Sequence, residues 1–118
     1  VRFSYQDGYN ATQQLIASGR QFTALFAIAD VMAIGAIRAL HNNGLRVPKD
    51  VSVMGFDGLR LSSFLVPELS TVIQSAQKMA QRSVEILIDR IEHGGHACHE
   101  AVPYALHQRE STRRIDDD

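Results

Sequence analysis

Cysteine is nearly absent from this sequence, which has a single thiol, at Cys98, among 118 residues. One cysteine excludes an internal disulfide, and this agrees with a reducing, cytoplasmic setting. No apolar run reaches the roughly 18 residues that a membrane-spanning helix requires, and no signal-peptide pattern is visible. Because the chain opens at Val1 directly in an apolar run, we expect it to be part of a longer protein.

The sequence also lacks an excess of either basic or acidic residues. Twelve basic and 13 acidic residues give a net charge of −1, and there is no long basic block. Direct binding of this segment to nucleic acid is therefore not expected, since such binding requires a basic face. The chain also lacks the GxSxG, HExxH, CxxC, Walker and GxGxxG patterns. These absences disfavour an enzyme, and we expect no cofactor.

Three histidines and the cysteine lie together in segment 93–99, HGGHACH. Zinc binds histidine and cysteine at short spacings. The segment is glycine-rich and polar, however, and no second cluster would complete a set of ligands. We therefore predict a surface loop here rather than a metal site.

The sequence does contain a regular alternation of short apolar runs and helical patterns. Strands are predicted at 1–5, 23–29, 50–56, 70–74 and 101–107, and helices at 7–18, 30–43 and 75–93. Segment 58–69 is predicted to be a loop with one helical turn, and the polar tail after Arg109 to be frayed. The uninterrupted run 23–29 is typical of a strand buried on both faces. This alternation predicts an α/β fold with a parallel sheet.

Segment 50–57, DVSVMGFD, carries the clearest indication of function. In parallel α/β sheets, ligands bind beyond the carboxyl ends of the strands, and this strand ends at Asp57. Its carboxylate could accept a hydrogen bond from a ligand, although capping of a turn fits the position equally well. Asp30, after the run 23–29, is interpreted as an N-cap or first-turn carboxylate. Phe3 is expected to be a core aromatic, with stacking on a sugar or base as the alternative.

Residues 27–58, AIADVMAIGAIRALHNNGLRVPKDVSVMGFDG, resemble the signature of the lactose-repressor (LacI/GalR) family of bacterial transcription regulators. The similarity continues through FLVPELSTVIQ (64–74) and the closing RESTRR (109–114). It implies a three-layer α/β/α, Rossmann-like lobe of a type I periplasmic-binding-protein-like domain. Residues 1–74 would form its C-terminal lobe, and 75–118 a helix and strand that cross back to the N-terminal lobe, plus a tail. By this resemblance, the DNA-binding headpiece and most of the N-terminal lobe would lie outside this sequence.

The resemblance also implies roles for individual residues. Phe3 matches the aromatic that stacks on the effector, and Asp57 the carboxylate that hydrogen-bonds it. Gln74 and Ala76 lie where the chain crosses back near the ligand cleft. Ala29 stands where many members carry asparagine, so the usual hydrogen bond to a sugar hydroxyl cannot form through its side chain. The helix-opening aspartate of the family aligns with the residue after Ala29, which favours capping for it.

Two apolar residues match positions at which the family dimerises, Ile34 in helix 30–43 and Leu65 before Pro67. Packing of Ile34 under the loop 58–69 is the alternative. The implied function is effector sensing and homodimerisation in a cytoplasmic repressor that binds operator DNA through its headpiece. The expected effector is a sugar or sugar phosphate, with a purine or nucleoside second. A periplasmic sugar-binding protein of an ABC transporter shares the fold and is the alternative.

Overall fold

The computed structural model describes residues 3–116, which form three α-helices, four strands and one short 3-10 helix. The helices are α1 (Tyr5–Ala17), α2 (Asp30–Asn42) and α3 (Ala76–His93); the strands are β1 (Ala24–Phe26), β2 (Ser52–Asp57), β3 (Ser70–Gln74) and β4 (Tyr104–His107). The strands follow the order β1-β2-β3-β4 in one sheet, and β2 runs parallel to both β1 and β3. The predicted α/β class with a parallel sheet is confirmed. The 3-10 helix, Arg60–Ser63, is the helical turn expected in segment 58–69.

The described chain divides into two compact units. The first runs up to Ile73 and includes the residues from Leu106 onward, and the second is Gln74–Ala105. The core of the first unit joins α2 to the sheet through fully or almost fully buried apolar side chains: Ala33, Leu40, Val51, Val53 and Leu69. Helices α1 and α2 approach closely because Gly8 and Gly35 face backbone atoms of the opposite helix, where a Cβ would collide.

The start of the chain differs from the predicted strand 1–5. Val1 and Arg2 lie outside the described residues, Phe3 is in no strand, and Tyr5 already begins α1. The Ser4 hydroxyl caps this helix by accepting a hydrogen bond from the Asp7 amide at 3.0 Å. The cap at Ser4 therefore favours a helix here, although the alternation of apolar residues in segment 1–5 predicted a strand.

The burial predicted for strand 23–29 is also wrong. Only three residues are in β1, and two of them, Ala24 and Phe26, are exposed. Within the part of the chain that the structure describes, β1 pairs with β2 on one side only. A strand at the edge of a sheet has a neighbouring strand on one side only, so a continuously apolar sequence does not ensure that it is buried.

The start of the tail after Arg109 is bonded to the sheet rather than frayed, while Asp117 and Asp118 lie outside the described residues. The Ser111 amide donates to the Glu68 carbonyl at 2.9 Å, and its carbonyl accepts from the Val53 amide at 2.8 Å. Its buried hydroxyl donates to the Val53 carbonyl at 2.6 Å and accepts from the Ser70 amide at 2.8 Å. The polar composition of this segment therefore supplies hydrogen bonds to β2 and β3.

The second unit contains α3, which begins after the N-cap Ser75 and ends before Gly94. No residue of α3 is buried. Arg82 forms an ion pair with Glu100 at 2.8 Å, and this carboxylate raises the pKa of Arg82. Among residues 3–116, no group of three His, Cys, Asp or Glu side chains could hold a metal ion. No helix within that range is long and apolar enough to cross a membrane.

Candidate functional site

Asp57 is the last residue of β2 and lies at the carboxyl end of the parallel strands. It is in register with Ile73 of β3. Its φ is 114°, and Gly58 follows at 75°. At Gly58 a Cβ would lie 2.6 Å from the Ile73 side chain, so both the angle and the space require glycine. The chain therefore turns sharply here and leaves Asp57 exposed beyond the strand end, where α/β sheets bind ligands.

The electrostatic surroundings of Asp57 disfavour its charged form. Partial burial and, secondly, the negative charge of Asp30 raise the pKa of Asp57 above the ordinary value for aspartate. A neighbouring like charge has this effect because the two anions repel each other. A hydroxyl or N–H donor on a bound molecule would offset the repulsion, which makes Asp57 a suitable acceptor for a ligand.

Asp30 is not a helix cap, contrary to the prediction. It is the first residue of α2, as the first-turn alternative required, but the N-cap is Ala29 and no side chain caps the helix. The fully buried Asp30 carboxylate accepts hydrogen bonds from the Leu59 amide at 2.8 Å and the Ser62 hydroxyl at 2.7 Å. Its second oxygen accepts from the Thr71 hydroxyl at 2.7 Å. The side chain thus turns away from its own helix and joins α2 to the loop after Asp57 and to β3.

Sequence reasoning did not identify the partners of Asp30. A weak signal existed, because Thr71 is a polar residue in an apolar strand and Gly55 interrupts the apolar run of β2. A Cβ at Gly55 would collide with Oδ1 of Asp30. Glycine inside a strand often marks such a close approach. Gly55 therefore makes the space that the buried carboxylate occupies.

The structure brings two of the predicted ligand residues, Ala29 and Asp57, to the same edge of the sheet. The Ala27 amide donates to the Met54 carbonyl at 2.8 Å, so the chain that continues from β1 to Ala29 runs beside the end of β2. Ala29 is buried and offers no side-chain hydrogen bond.

Phe3 is 60% exposed, so its expected place in the core is wrong, and its ring is free to contact another molecule.

The other two predicted ligand residues belong to the second compact unit. Gln74 is half-buried at the end of β3. Ala76 is exposed at the first position of α3. Their role in a ligand site remains a prediction from the resemblance.

Ile34 and Leu65 line one groove on the surface of the first unit. It has a volume of about 570 Å³, and both residues are only half-buried. The other lining residues are mostly apolar, with a basic rim: Ile37, Arg38, His41, Leu45, Arg46, Val47, Val66 and Pro67. Val66 is 96% exposed. Contiguous exposed apolar surface of this kind is typical of an interaction site.

The sequence is similar to proteins that regulate transcription. A profile of the periplasmic binding protein-like domain matches residues 2–112. The chain is 41% identical over 107 residues to the HTH-type transcriptional regulator MalR of Clostridium butyricum, covering 91% of this chain and 32% of MalR. It is 43% identical over 91 residues to the HTH-type transcriptional repressor PurR of Haemophilus influenzae, covering 77% of this chain and 27% of PurR. The chain thus spans a third or less of these relatives, which are regulators rather than enzymes.

Solved structures show the same similarity. The lac repressor dimer bound to operator and the anti-inducer ONPF superimposes with a TM-score of 0.87 at 34% identity, over 92% of this chain and 38% of that chain. A LacI family transcriptional regulator from Enterococcus faecium with bound ribose gives a TM-score of 0.83 at 31% identity, over 98% of this chain and 42% of that chain.

Proposed function

The chain belongs to the periplasmic binding protein-like domain family, and on this premise we propose that it is the effector-sensing and dimerisation region of a bacterial LacI-type transcriptional repressor. The observation that carries the proposal is the exposed Asp57 carboxylate at the carboxyl end of parallel strands. Relatives named as HTH-type regulators favour this function over a transporter's periplasmic sugar-binding protein. The protein would act in the cytoplasm and bind operator DNA through a headpiece outside residues 1–118.

The proposed effector is a small molecule that donates hydrogen bonds and has a flat or C–H-rich face. Asp57 would accept from a hydroxyl or ring N–H, and the exposed Phe3 ring would stack on the flat face. Sugars and sugar phosphates come first, in agreement with the ribose bound to the Enterococcus faecium regulator. Purines and nucleosides come second. Ala29 favours keeping them in the comparison, because it lacks the amide that a usual sugar pose engages. Gln74 and Ala76 are the further ligand residues that the resemblance implies.

A thermal-shift screen of the full-length regulator against sugars, sugar phosphates, nucleobases and nucleosides tests this proposal. A ligand at 100 times its Kd stabilises the folded state by about 2.7 kcal/mol, which raises the Tm by several degrees. Asp57→Ala should abolish the shift, whereas Asp50→Ala, which removes a half-buried carboxylate paired with Arg46, should preserve it. A shift that survives Asp57→Ala would show that the ligand binds elsewhere, and a screen without any shift would count against effector sensing.

The groove at Ile34 and Leu65 is proposed as the dimer interface. In a twofold dimer, the same patch of each copy meets its counterpart, and the lac repressor that this chain resembles is a dimer. Ile34→Asp would place a charge among apolar groups and should yield monomers in sedimentation velocity. Gln14→Asp, on an exposed position of α1, is the matched control and should leave the dimer intact. An Ile34→Asp protein that sediments as a dimer would refute this assignment.

A further inference from the structure

We propose that Asp30 is the positioning residue of the candidate effector site: through its buried carboxylate it holds the turn that orients Asp57. The positioning of Asp57 by Asp30 is a property of this chain alone. Its effect on effector binding rests on the function proposed above. Asp30 itself is fully buried and therefore does not contact a ligand.

The first support is the set of groups that the Asp30 carboxylate binds. All three donors come from outside α2, two from segment 59–62 and one from β3. The donor side chains Ser62 and Thr71 are fully buried, and no buried side-chain polar atom in residues 3–116 lacks a partner. Hydrogen bonds to a buried carboxylate are short and strong. The carboxylate therefore joins the start of α2, the loop after β2 and the beginning of β3 to one another.

The second support is the unusual backbone of Asp57. Among residues 3–116 it is the one residue other than glycine with a positive φ, at 114°. Such a conformation persists only where the surroundings enforce it. On one side, β2 holds Asp57 in register with Ile73. On the other side, two residues later, the Leu59 amide is bound by Asp30. Asp57 is thus held between two fixed points, and one of them is Asp30.

The third support is that the residues around Asp30 suit a carboxylate that points toward β2 rather than one that caps its own helix. Gly55 leaves the space that Oδ1 of Asp30 fills. An aspartate that served only its helix would bind the amides of the first turn, yet the described α2 has no side-chain cap. Asp30 also lies close enough to raise the pKa of Asp57. Geometry and charge therefore both connect Asp30 to the candidate ligand residue.

The experiment compares the purified chain with its Asp30→Asn variant by NMR, without any ligand. Two readouts are followed: amide hydrogen exchange and the titration midpoint of the Asp57 side-chain carboxyl. We expect exchange at Leu59 to accelerate at least roughly tenfold more than at Val53, because the bond lost is local and charged. We also expect the Asp57 midpoint to fall, since the neighbouring negative charge is gone. Asp50→Asn, which removes the half-buried carboxylate paired with Arg46, should change neither readout.

A merely structural Asp30 gives a different result. Exchange at Leu59 and Val53 would then accelerate equally, and this result would overturn the proposal. The Asp57 midpoint shows only that Asp30 lies near Asp57, because removing the Asp30 charge lowers it in either role. If Asp30→Asn does not fold, Thr71→Val and Thr71→Ser decide between the two roles. Only valine removes the hydroxyl that Asp30 binds, so faster exchange at Leu59 relative to Val53 in Thr71→Val but not in Thr71→Ser supports positioning. Equal acceleration at both amides in Thr71→Val refutes it.

Because no ligand enters this experiment, its failure is distinct from failure of the effector proposal. The Asp57→Ala thermal-shift test concerns whether Asp57 binds an effector. The exchange test concerns what holds Asp57 in place, and either result stands whatever the outcome of the other.

Discussion

Adding one methyl group at Gly55 is the sharpest test of how this fold is built around a buried carboxylate. Gly55 is a buried residue of β2, and in Gly55→Ala the new Cβ would collide with Oδ1 of Asp30 and lie 3.1 Å from Cδ2 of Leu69. The Leu69 side chain can yield slightly. The Asp30 carboxylate has little freedom, because the Thr71 hydroxyl holds the same oxygen. The substitution must therefore displace a buried charge from its donors.

The size of the effect follows from two contributions. Overpacking a core costs about 1–3 kcal/mol, and loss of a hydrogen bond to a charged group costs about 1.5–3 kcal/mol. Alanine is favoured over glycine in a strand by about 0.5–1 kcal/mol, which offsets a small part. We therefore expect Gly55→Ala to lower the free energy of unfolding by about 3–4 kcal/mol. A domain has about 5–15 kcal/mol in total, so the variant should still fold at low temperature.

Urea denaturation followed by circular dichroism measures this difference; the chain has no tryptophan for a fluorescence readout. Gly44→Ala is the control, since Gly44 has a φ of 74° and nothing within 4 Å of a Cβ. It should cost about 1–2 kcal/mol from backbone strain alone. In a double-mutant cycle, Asp30→Ala should make Gly55→Ala nearly neutral, because the colliding atom is gone. A loss below 1 kcal/mol for Gly55→Ala, or full additivity with Asp30→Ala, would refute the reasoning.

Two further predictions concern the tail and the strand end. Ser111→Ala removes the hydroxyl that bridges β2 and β3, so it should cost about 2–4 kcal/mol in urea denaturation from unpaired buried groups. Ser63→Ala removes a hydroxyl whose hydrogen bond to the Arg60 carbonyl is exposed, and it should change stability by less than about 0.5 kcal/mol. Equal costs would contradict the role of the tail. Because the pKa of Asp57 is raised in the folded state, the stabilisation linked to its protonation is present below about pH 4 and lost as the pH rises through the folded pKa. Asp57→Asn should therefore raise the Tm at pH 7 but not at pH 3. Asp50, whose pKa is lowered to about 2 by Arg46, should show the opposite sign, with Asp50→Asn lowering the Tm at pH 7. The same sign for both variants would show that the pKa directions are wrong.

Local patterns in the sequence determined most of the secondary structure. The strand predicted at 70–74 coincides with β3, and the helices predicted at 30–43 and 75–93 match α2 and α3 to within one residue at each end. Apolar spacing, caps and glycines act between near neighbours, so they can be read without the fold. The position of Asp57 at a strand end belongs to this class, as does the resemblance that suggested its role.

Contacts between distant parts of the chain were decided by the tertiary structure alone. Asp30 binds groups that lie 29 to 41 residues away, and Ser111 bonds to Val53 across 58 residues. Nothing in the local sequence tells a capping carboxylate from a bridging one, or a frayed tail from one that completes a sheet. Burial and hydrogen-bond partners depend on which elements pack together. The sequence by itself therefore determined most of the elements and the position of Asp57 at a strand end, while the tertiary structure decided what holds that carboxylate in place.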